Sequence, residues 1–299
     1  MVAANKLLND IKWNTRQRMQ YIEMMAYYTG VVSRSNVART FGISDAAATK
    51  DLKLYGDLAP ENIIYKQSLF GFVPTSSFEG MFTDLSPKKV LPLIAGNLPM
   101  SGGPMSDELI YGIPTESLPL PSRLPGQKIV AQVTRAIHQH KKLRVLYNSL
   151  SDRLALDETR IIEPHSLINT GLRWHIRAYN EETFDFRDFV LSRISEAEVI
   201  NEAAESSIEF DDDWVEQVVL KLMPHPGLTA RKQQNLLLDY GADNGEGVIE
   251  VGIRRALLGY QLQRLAVDTT IDHSLNPNAY QLVLSNRAEV EQFAGWAFD

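Results

Sequence analysis

The chain has 299 residues, of which 44% are hydrophobic and 22% charged, and this length and composition predict two or three soluble globular domains. It contains no cysteine, which excludes disulfide bonds, cysteine-ligated zinc and thiol catalysis. No apolar run reaches the roughly 18 to 20 residues of a membrane span, and the N-terminus lacks the apolar core of a secretory signal. We therefore expect a cytoplasmic protein with no membrane partner.

The net charge of −7 is unevenly distributed along the chain. Acidic residues concentrate beyond residue 195, whereas residues 1–80 and 123–194 each carry a net positive charge. This asymmetry favours contact with anions in the front and middle of the protein and not at its end.

Helical spacing of apolar residues predicts three helices near the N-terminus. The first covers residues 13–28 and ends at Gly30, and the second covers residues 33–41 and ends at Gly42. Ser44 is placed to cap a third helix, which extends to about Tyr55. A helix, a glycine turn and a capped helix are typical of a helix-turn-helix.

In the third helix, Ala48, Leu52 and Tyr55 form an inward stripe and leave small and polar residues on the outer face. Small side chains permit close approach to a DNA major groove. Residues 63–74 predict a β-hairpin wing, with Lys66 near its tip. The predicted DNA-contacting residues are Arg34, Arg39, Ser44, Asp45, Ala46, Thr49, Lys50, Lys53 and Lys66. The alternative is that these are solvated charges on an unrelated helical domain.

Residues 97–126 contain six prolines and four glycines, which predict a stiff, mostly extended linker. A short helix is predicted before it, over residues 86–94. An amphipathic helix over residues 128–141 follows it and leads into a segment of strands.

That segment, residues 143–200, is rich in arginine and aromatic residues. Period-two alternation puts Trp174 and Ile176 on an apolar face and His175 and Arg177 on the opposite one. By the same rule, Arg187 and the residues two, four and six positions later share a face. Guanidinium groups are suited to phosphate or carboxylate, so several on one small sheet predict an anion or nucleotide pocket.

The strand segment resembles the WYL-domain transcriptional regulators, and the matching residues are Tyr147, Ser149, Pro164, Gly171, Trp174, Ile176, Arg187, Phe189, Arg193 and Ile194. It departs from that pattern at His175, Val190 and Ser192, where the family usually has tyrosine, arginine and an acid. The resemblance implies a winged helix-turn-helix, a middle Sm-like or SH3-like β-barrel and a C-terminal extension. The order of the segments resembles single-chain repressors found beside bacterial phage-defence operons.

The predicted fold class is therefore α+β and multidomain. The predicted boundaries are a winged helix-turn-helix at residues 1–96, the linker at 97–126, a ligand-sensing WYL β-barrel at 127–205, and a small α+β domain for dimer contact at 206–299.

The C-terminal domain is predicted to begin with a helix over residues 211–223, because Trp214, Val215, Val218, Val219 and Leu222 have helical spacing. Helices over residues 229–241, 254–265 and 288–293 and strands over 248–253 and 280–284 complete it.

Catalytic and metal-binding chemistry is not indicated. His138 and His140 are two residues apart and do not share a helix face. There is no Gly-x-Ser-x-Gly nucleophile motif and no glycine-rich phosphate-binding or dinucleotide-binding motif. We expect no enzyme, no cofactor and no metal.

The predicted ligand-binding residues are Tyr147, Ser149, His165, His175, Arg177, Arg187 and Arg193. They are expected to bind a nucleotide or oligonucleotide effector. The alternative is that the arginines pair with Glu181, Glu182, Asp185 and Asp188 on a solvated sheet edge. Trp174 is expected in the core and not against a ligand.

The functional prediction is a nucleoid-associated homodimer that binds palindromic double-stranded operator DNA and represses its own or a neighbouring phage-defence operon. The effector would change operator affinity. A second hypothesis, of another class, is an adaptor that senses single-stranded DNA or RNA, with the helix-turn-helix used for protein contact.

Overall fold

The structure is a computed structural model, and the residues described are 11–96, 110–116, 118–120, 123–150, 158–242, 245 and 247–298. They divide into two compact units, Met1–Pro119 and Leu120–Asp299. Among the described residues, one hydrophobic core lies in the first unit and two lie in the second. None of the helices in the described segments is long and apolar enough to cross a membrane.

The first unit has the three predicted helices, the predicted hairpin and the predicted short helix. Their bounds are α1 (Trp13–Thr29), α2 (Arg34–Phe41), α3 (Asp45–Leu58), β1 (Ile63–Lys66), β2 (Gly71–Pro74) and α4 (Pro87–Ala95). Gly30 and Gly42 end α1 and α2 in the left-handed conformation, with φ of 77° and 62°. Ser33 and Asn36 form a reciprocal capping box at the start of α2.

The core of the first unit lies where the three helices meet. Ala48, Leu52 and Tyr55 of α3 are buried in it, as predicted. Glu23 is also buried, and its carboxylate accepts hydrogen bonds from the backbone N–H groups of residues 81–83. Tyr111, within the predicted linker, is buried in the same core.

The second unit begins with α5 (Gln127–Gln139), the predicted amphipathic helix, which packs on a five-stranded antiparallel sheet. The sheet has the order β6-β5-β4-β3-β7. Its strands are β3 (Lys141–Tyr147), β4 (Glu158–Asn169), β5 (Trp174–Asn180), β6 (Asp185–Val190) and β7 (Ile194–Ala203). No ladder in the described residues joins β6 to β7, so a closed barrel is not observed there.

The rest of the second unit is built on a four-stranded sheet with the order β10-β11-β8-β9. Its elements are α6 (Asp212–Val215), β8 (Gln217–Pro224), α7 (Ala230–Asp239), β9 (Ile249–Arg254), α8 (Leu258–Arg264), β10 (Val267–Asp268), β11 (Leu282–Leu284) and α9 (Arg287–Val290). Most of the predicted elements are present, although α8 and α9 are shorter than expected because short 3₁₀ turns replace one end of each.

The helix predicted over residues 211–223 is wrong. Only Asp212–Val215 is helical, and Gln217–Pro224 forms the central strand β8. Leu220 and Leu222 are buried at period two, which the helical spacing of the same segment concealed. Adjacent β-branched residues Val218 and Val219 also favour a strand over a helix.

Candidate nucleic-acid interface and anion cavity

The outer face of α3 presents small and basic side chains to solvent. Ser44 caps the helix by accepting a hydrogen bond from Ala47 N at 3.2 Å. Thr49, Lys50 and Lys53 are exposed on this face, and neither lysine has a salt-bridge partner among the described residues. Two unneutralised cations beside small side chains suit close contact with a nucleic-acid backbone.

Two ion pairs involve residues of α3. Arg18 of α1 binds Asp51 of α3 with a 2.6 Å hydrogen bond to one carboxylate oxygen and a 3.2 Å bond to the other, which holds the helix against the core. Arg34 and Asp45, both predicted DNA contacts, lie 3.3 Å apart and are mostly exposed. Exposed pairs contribute little, about 0 to 1 kcal/mol, so a phosphate can displace the carboxylate from Arg34. Arg39 is exposed on α2.

The wing is fixed to the helices through its second strand. Phe72 of β2 exchanges two backbone hydrogen bonds with Val32, at 2.8 and 2.9 Å. Gly71 lies so close to this segment that a Cβ atom there would be 2.7 Å from Val31 Cγ2. The wing therefore has a defined position beside α3, and Lys66 is exposed at the end of β1.

A second candidate site is a cavity of about 290 Å³ between the five-stranded sheet and α8. Arg173 and Arg193 from the sheet domain and Arg264 from α8 line it together. Within the described part of the chain, none of these three guanidinium groups has a salt-bridge partner, and they outnumber the Asp188 carboxylate on the same wall, so the lining carries a net positive charge. Tyr147, His175, Tyr260 and Trp296 supply ring surfaces to its wall. Such a lining suits a phosphorylated, ring-bearing anion.

His175 is a buried polar residue of this cavity wall. It is 2% exposed, and burial together with nearby Arg173 and Arg193 lowers its pKa to about 4, so it is neutral at pH 7. Its ring lies 4.8 Å from that of Tyr260, centroid to centroid. No described group hydrogen-bonds to Nδ1.

A chain of hydrogen bonds leads away from the cavity. Asp188, on the cavity wall, accepts a 2.9 Å bond from Tyr260 Oη and a 3.3 Å bond from Arg177. Arg177 also donates two hydrogen bonds, of 2.6 and 2.8 Å, to the carboxylate of Asp211. Burial opposes the charge on Asp211, but hydrogen bonds from Arg177 and His165 outweigh it and lower its pKa to about 2. Because Asp211 caps α6, the cavity is connected to the start of the C-terminal sheet.

The seven predicted ligand residues do not all meet. Tyr147, His175 and Arg193 line the cavity, but Arg177 and His165 lie behind it, bound to Asp211. Arg187 is exposed and paired with Asp185 at 2.7 Å, and neither it nor Ser149 is a described lining residue. The predicted alternation, in which Arg187 and Arg193 share a face, does not hold as far as Arg193, because a 3₁₀ turn at Leu191–Arg193 interrupts the strand.

Two further expectations about this face are corrected. Trp174, expected in the core, is 37% exposed, because it is the first residue of β5 and lies beyond the packed cluster. The face with His175 and Arg177, expected to form an anion pocket, is buried under Tyr260 and Asp211. Tyr260, Gln263 and Arg264 were not identified as ligand candidates. Their spacing of three and four residues gives one polar helix face, but the sequence does not show what that face packs against.

Comparisons with known proteins match the same three parts. The BrxR transcriptional regulator winged helix-turn-helix domain matches residues 14–96, the WYL domain matches 128–199, and the BrxR transcriptional regulator C-terminal dimerization domain matches 217–290. These matches and the two candidate sites define the class, a WYL-domain transcriptional regulator.

Full-length relatives agree with this class. The DNA-binding transcriptional repressor CapW of Escherichia coli strain KTE188 is 32% identical over 93% of this chain and 91% of its own length. CapW of Pseudomonas aeruginosa is 30% identical over 94% of this chain and 92% of its own. The chain belongs to the CapW family of DNA-binding transcriptional repressors.

Among solved structures, proteasome accessory factor B/C of Arthrobacter aurescens aligns with 95% of this chain at 18% identity and a TM-score of 0.27. The chain spans about half, 48%, of that longer chain.

Proposed function

We propose that this protein represses transcription as a homodimer bound to a palindromic operator, and that an anionic effector in the cavity changes its operator affinity. In this proposal residues 1–96 bind DNA, residues 127–205 sense the effector, and residues 206–299 form the dimer contact. The target is its own or a neighbouring phage-defence operon, and the protein acts on the nucleoid in the cytoplasm. Its role is regulatory and not catalytic.

The observation that carries the DNA-binding part is the exposed face of α3. Its Ser44 cap and the Arg18–Asp51 pair fix the helix, while Lys50 and Lys53 point outward without carboxylate partners among the described residues. A rigid helix with small residues and two available cations has the character of a major-groove reader. A two-fold dimer would place two such helices on half-sites one or more helical turns apart, each turn about 34 Å.

The effector part rests on the cationic cavity and its connection to Asp211. A phosphate bound near Arg173 and Arg193 would act electrostatically on the Asp188 carboxylate, which lies on the same cavity wall. It would thereby alter the hydrogen bonds that run from Asp188 through Arg177 to Asp211. That chain ends at the cap of α6, immediately before the segment that matches a dimerization domain. Occupancy could thereby bias the dimer geometry, and by linkage the operator would alter effector affinity by the same factor.

We also propose that the five-stranded sheet is an open form of the Sm-like or SH3-like barrel. The support is its antiparallel order, in which the last strand pairs with the first, and the bulge in β4 between Pro164 and Ser166. Bulges bend strands and help a sheet to curl.

The test is duplex binding to DNA from upstream of the gene, measured by gel shift as a function of salt. With three or four phosphate contacts per protomer, the dimer should show a log–log salt slope of roughly −5 to −7. The Lys50→Ala/Lys53→Ala double variant should bind more weakly, with a slope shallower by about 2 to 4. Lys88→Ala/Lys89→Ala, two exposed lysines of α4, is the matched control. Equal binding by the wild type and the α3 variant would remove the recognition-helix assignment.

One observation favours the second function, a sensor of single-stranded nucleic acid. Trp174 is partly exposed in a cavity of about 300 Å³ that also has Arg123 and Arg173 on its wall. An aromatic ring between cations is a stacking platform for bases. A titration with random single strands separates the two functions: tight binding that Trp174→Ala abolishes, with no preference for duplex, favours the sensor.

A further inference from the structure

The tip of the wing carries apolar side chains in an unusual backbone. A 3₁₀ turn at Gln67–Leu69 joins the strands, and Phe70 follows with φ of 49°, in the left-handed region. Phe70 is 78% exposed, and neighbouring Leu69 is also exposed. Glycine or asparagine would fit this backbone with less strain, and neither residue would expose an aromatic ring to water. Neither the turn nor the core explains a phenylalanine here.

A second exposed phenylalanine shows what is particular to Phe70. Phe184, in the turn between β5 and β6, is 77% exposed with φ of 56°. It is flanked by Glu181, Glu182 and Asp185, which would repel a polyanion. Phe70 instead shares a groove with Arg34 and Lys53, and Lys66 precedes the turn. The charges around Phe70 therefore favour a polyanionic partner.

That groove, of about 580 Å³, lies between the wing and α3. Thr49 and Lys53 of α3 line one wall, with Asp57 at its end, and Tyr65, Phe70 and Phe72 line the other. The rings of Tyr65 and Phe72 pack edge to face at 5.3 Å, and Phe72 is tied to Val32 by two backbone bonds. The aromatic wall is thus held rigidly beside the residues proposed to enter the major groove.

We propose that Phe70 is a wedge that enters the minor groove beside the α3 contact and partly unstacks one base step of the operator. The inference rests on the proposed operator binding and adds to it how the wing acts. A phenylalanine cannot bind phosphate, but apolar wedges at a minor groove unstack and bend the duplex. Because pyrimidine–purine steps unstack most easily, the wing selects operators with TA or CA at that position without hydrogen bonding to them.

The experiment uses the full-length protein and its footprinted operator with 2-aminopurine placed in turn at each step beneath the wing. The wild type should raise the fluorescence at one step, because unstacking relieves quenching. Phe70→Asn, which suits the left-handed backbone, should lose that increase and bind about tenfold more weakly. Phe184→Asn makes the same change at an equally exposed, left-handed phenylalanine and should behave as the wild type.

The outcomes separate the wedge from the proposed function. If wild type and Phe70→Asn footprint the same operator with equal affinity and equal fluorescence, the wedge is refuted and operator binding stands. If the wild type footprints the operator but raises the fluorescence at none of the steps, the wedge is likewise refuted. If the wild type protects no duplex site at all, the proposed function fails and the wedge fails with it.

Discussion

Replacing Asp211 with asparagine tests the buried link between the sheet domain and the C-terminal domain. Asp211 is 1% exposed and binds Arg177, itself 6% exposed, through two hydrogen bonds of 2.6 and 2.8 Å. The substituted asparagine would keep the volume of the side chain, and it could still cap α6, because asparagine is as good a cap as aspartate. Asp211→Asn therefore removes the charge and one of the two bonds to Arg177, and it also changes the 3.1 Å contact with His165 Nε2.

Two quantities set the size of the effect. Breaking a buried ion pair costs about 3 to 5 kcal/mol of folding free energy. Because Arg177 would still be paired with Asp188, we expect a cost near the lower limit, about 3 kcal/mol. The pKa of Asp211 falls from 3.8 to about 2 on folding, which corresponds to about 2 kcal/mol of stabilisation by the charged form. Because the folded pKa is the lower one, this stabilisation is complete above about pH 4 and is lost as the pH falls through about 2.

The assay is urea unfolding at pH 7, followed by far-ultraviolet circular dichroism and tryptophan fluorescence. Asp211→Asn should lower the free energy of unfolding of the second unit by about 3 kcal/mol, and the difference from wild type should shrink between pH 4 and pH 2. Asp185→Asn makes the same change in the exposed pair with Arg187 and should cost under about 1 kcal/mol. An equal loss of stability in both variants at pH 7, or a difference that did not change with pH, would show that the charge of Asp211 does not stabilise the second unit.

Three further predictions concern the two units separately. Ser33→Ala should remove the α2 cap and lower the free energy of unfolding of the first unit by about 1 kcal/mol in urea, and an unchanged midpoint would contradict the capping box. Gly71→Ala should cost about 1 to 3 kcal/mol by the same measurement, because its Cβ would meet Val31. Gly56→Ala should not destabilise, because apart from the adjacent helix backbone no atom of the described residues lies within 4 Å of a Cβ there. Arg193→Ala should weaken binding of inorganic phosphate about tenfold or more in calorimetry, whereas Arg187→Ala should not, and equal loss would place the anion elsewhere.

Local signals in the sequence were sufficient for the first unit. Gly30 and Gly42 end their helices and Ser44 starts the next, so each boundary is determined by residues next to it. Sequence reasoning failed over residues 217–224, where Val218 and Leu222 satisfy the helical period and the strand period at once. Only pairing with β9 and β11 decides between the two.

The candidate cavity was predictable only in part, because it is assembled from distant segments. Alternation within β5 placed His175 and Arg177 on one face correctly, but it could not show that α8 and Asp211 cover that face. The prediction therefore treated Arg177 as a ligand group, whereas it is buried in an ion pair. Arg264 lines the cavity because α8 packs against the sheet, and a single sequence contains no local signal for that packing.

Coupling between the effector cavity and the operator is tested most directly by the effect of a short single-stranded oligonucleotide on operator affinity at constant ionic strength. We expect the oligonucleotide to shift the operator affinity of the wild type, and the operator to shift the oligonucleotide affinity by the same factor. Arg193→Ala should bind the operator as the wild type does and show no shift. An operator affinity that is the same with and without the oligonucleotide, or a shift of equal size in Arg193→Ala, would contradict this coupling.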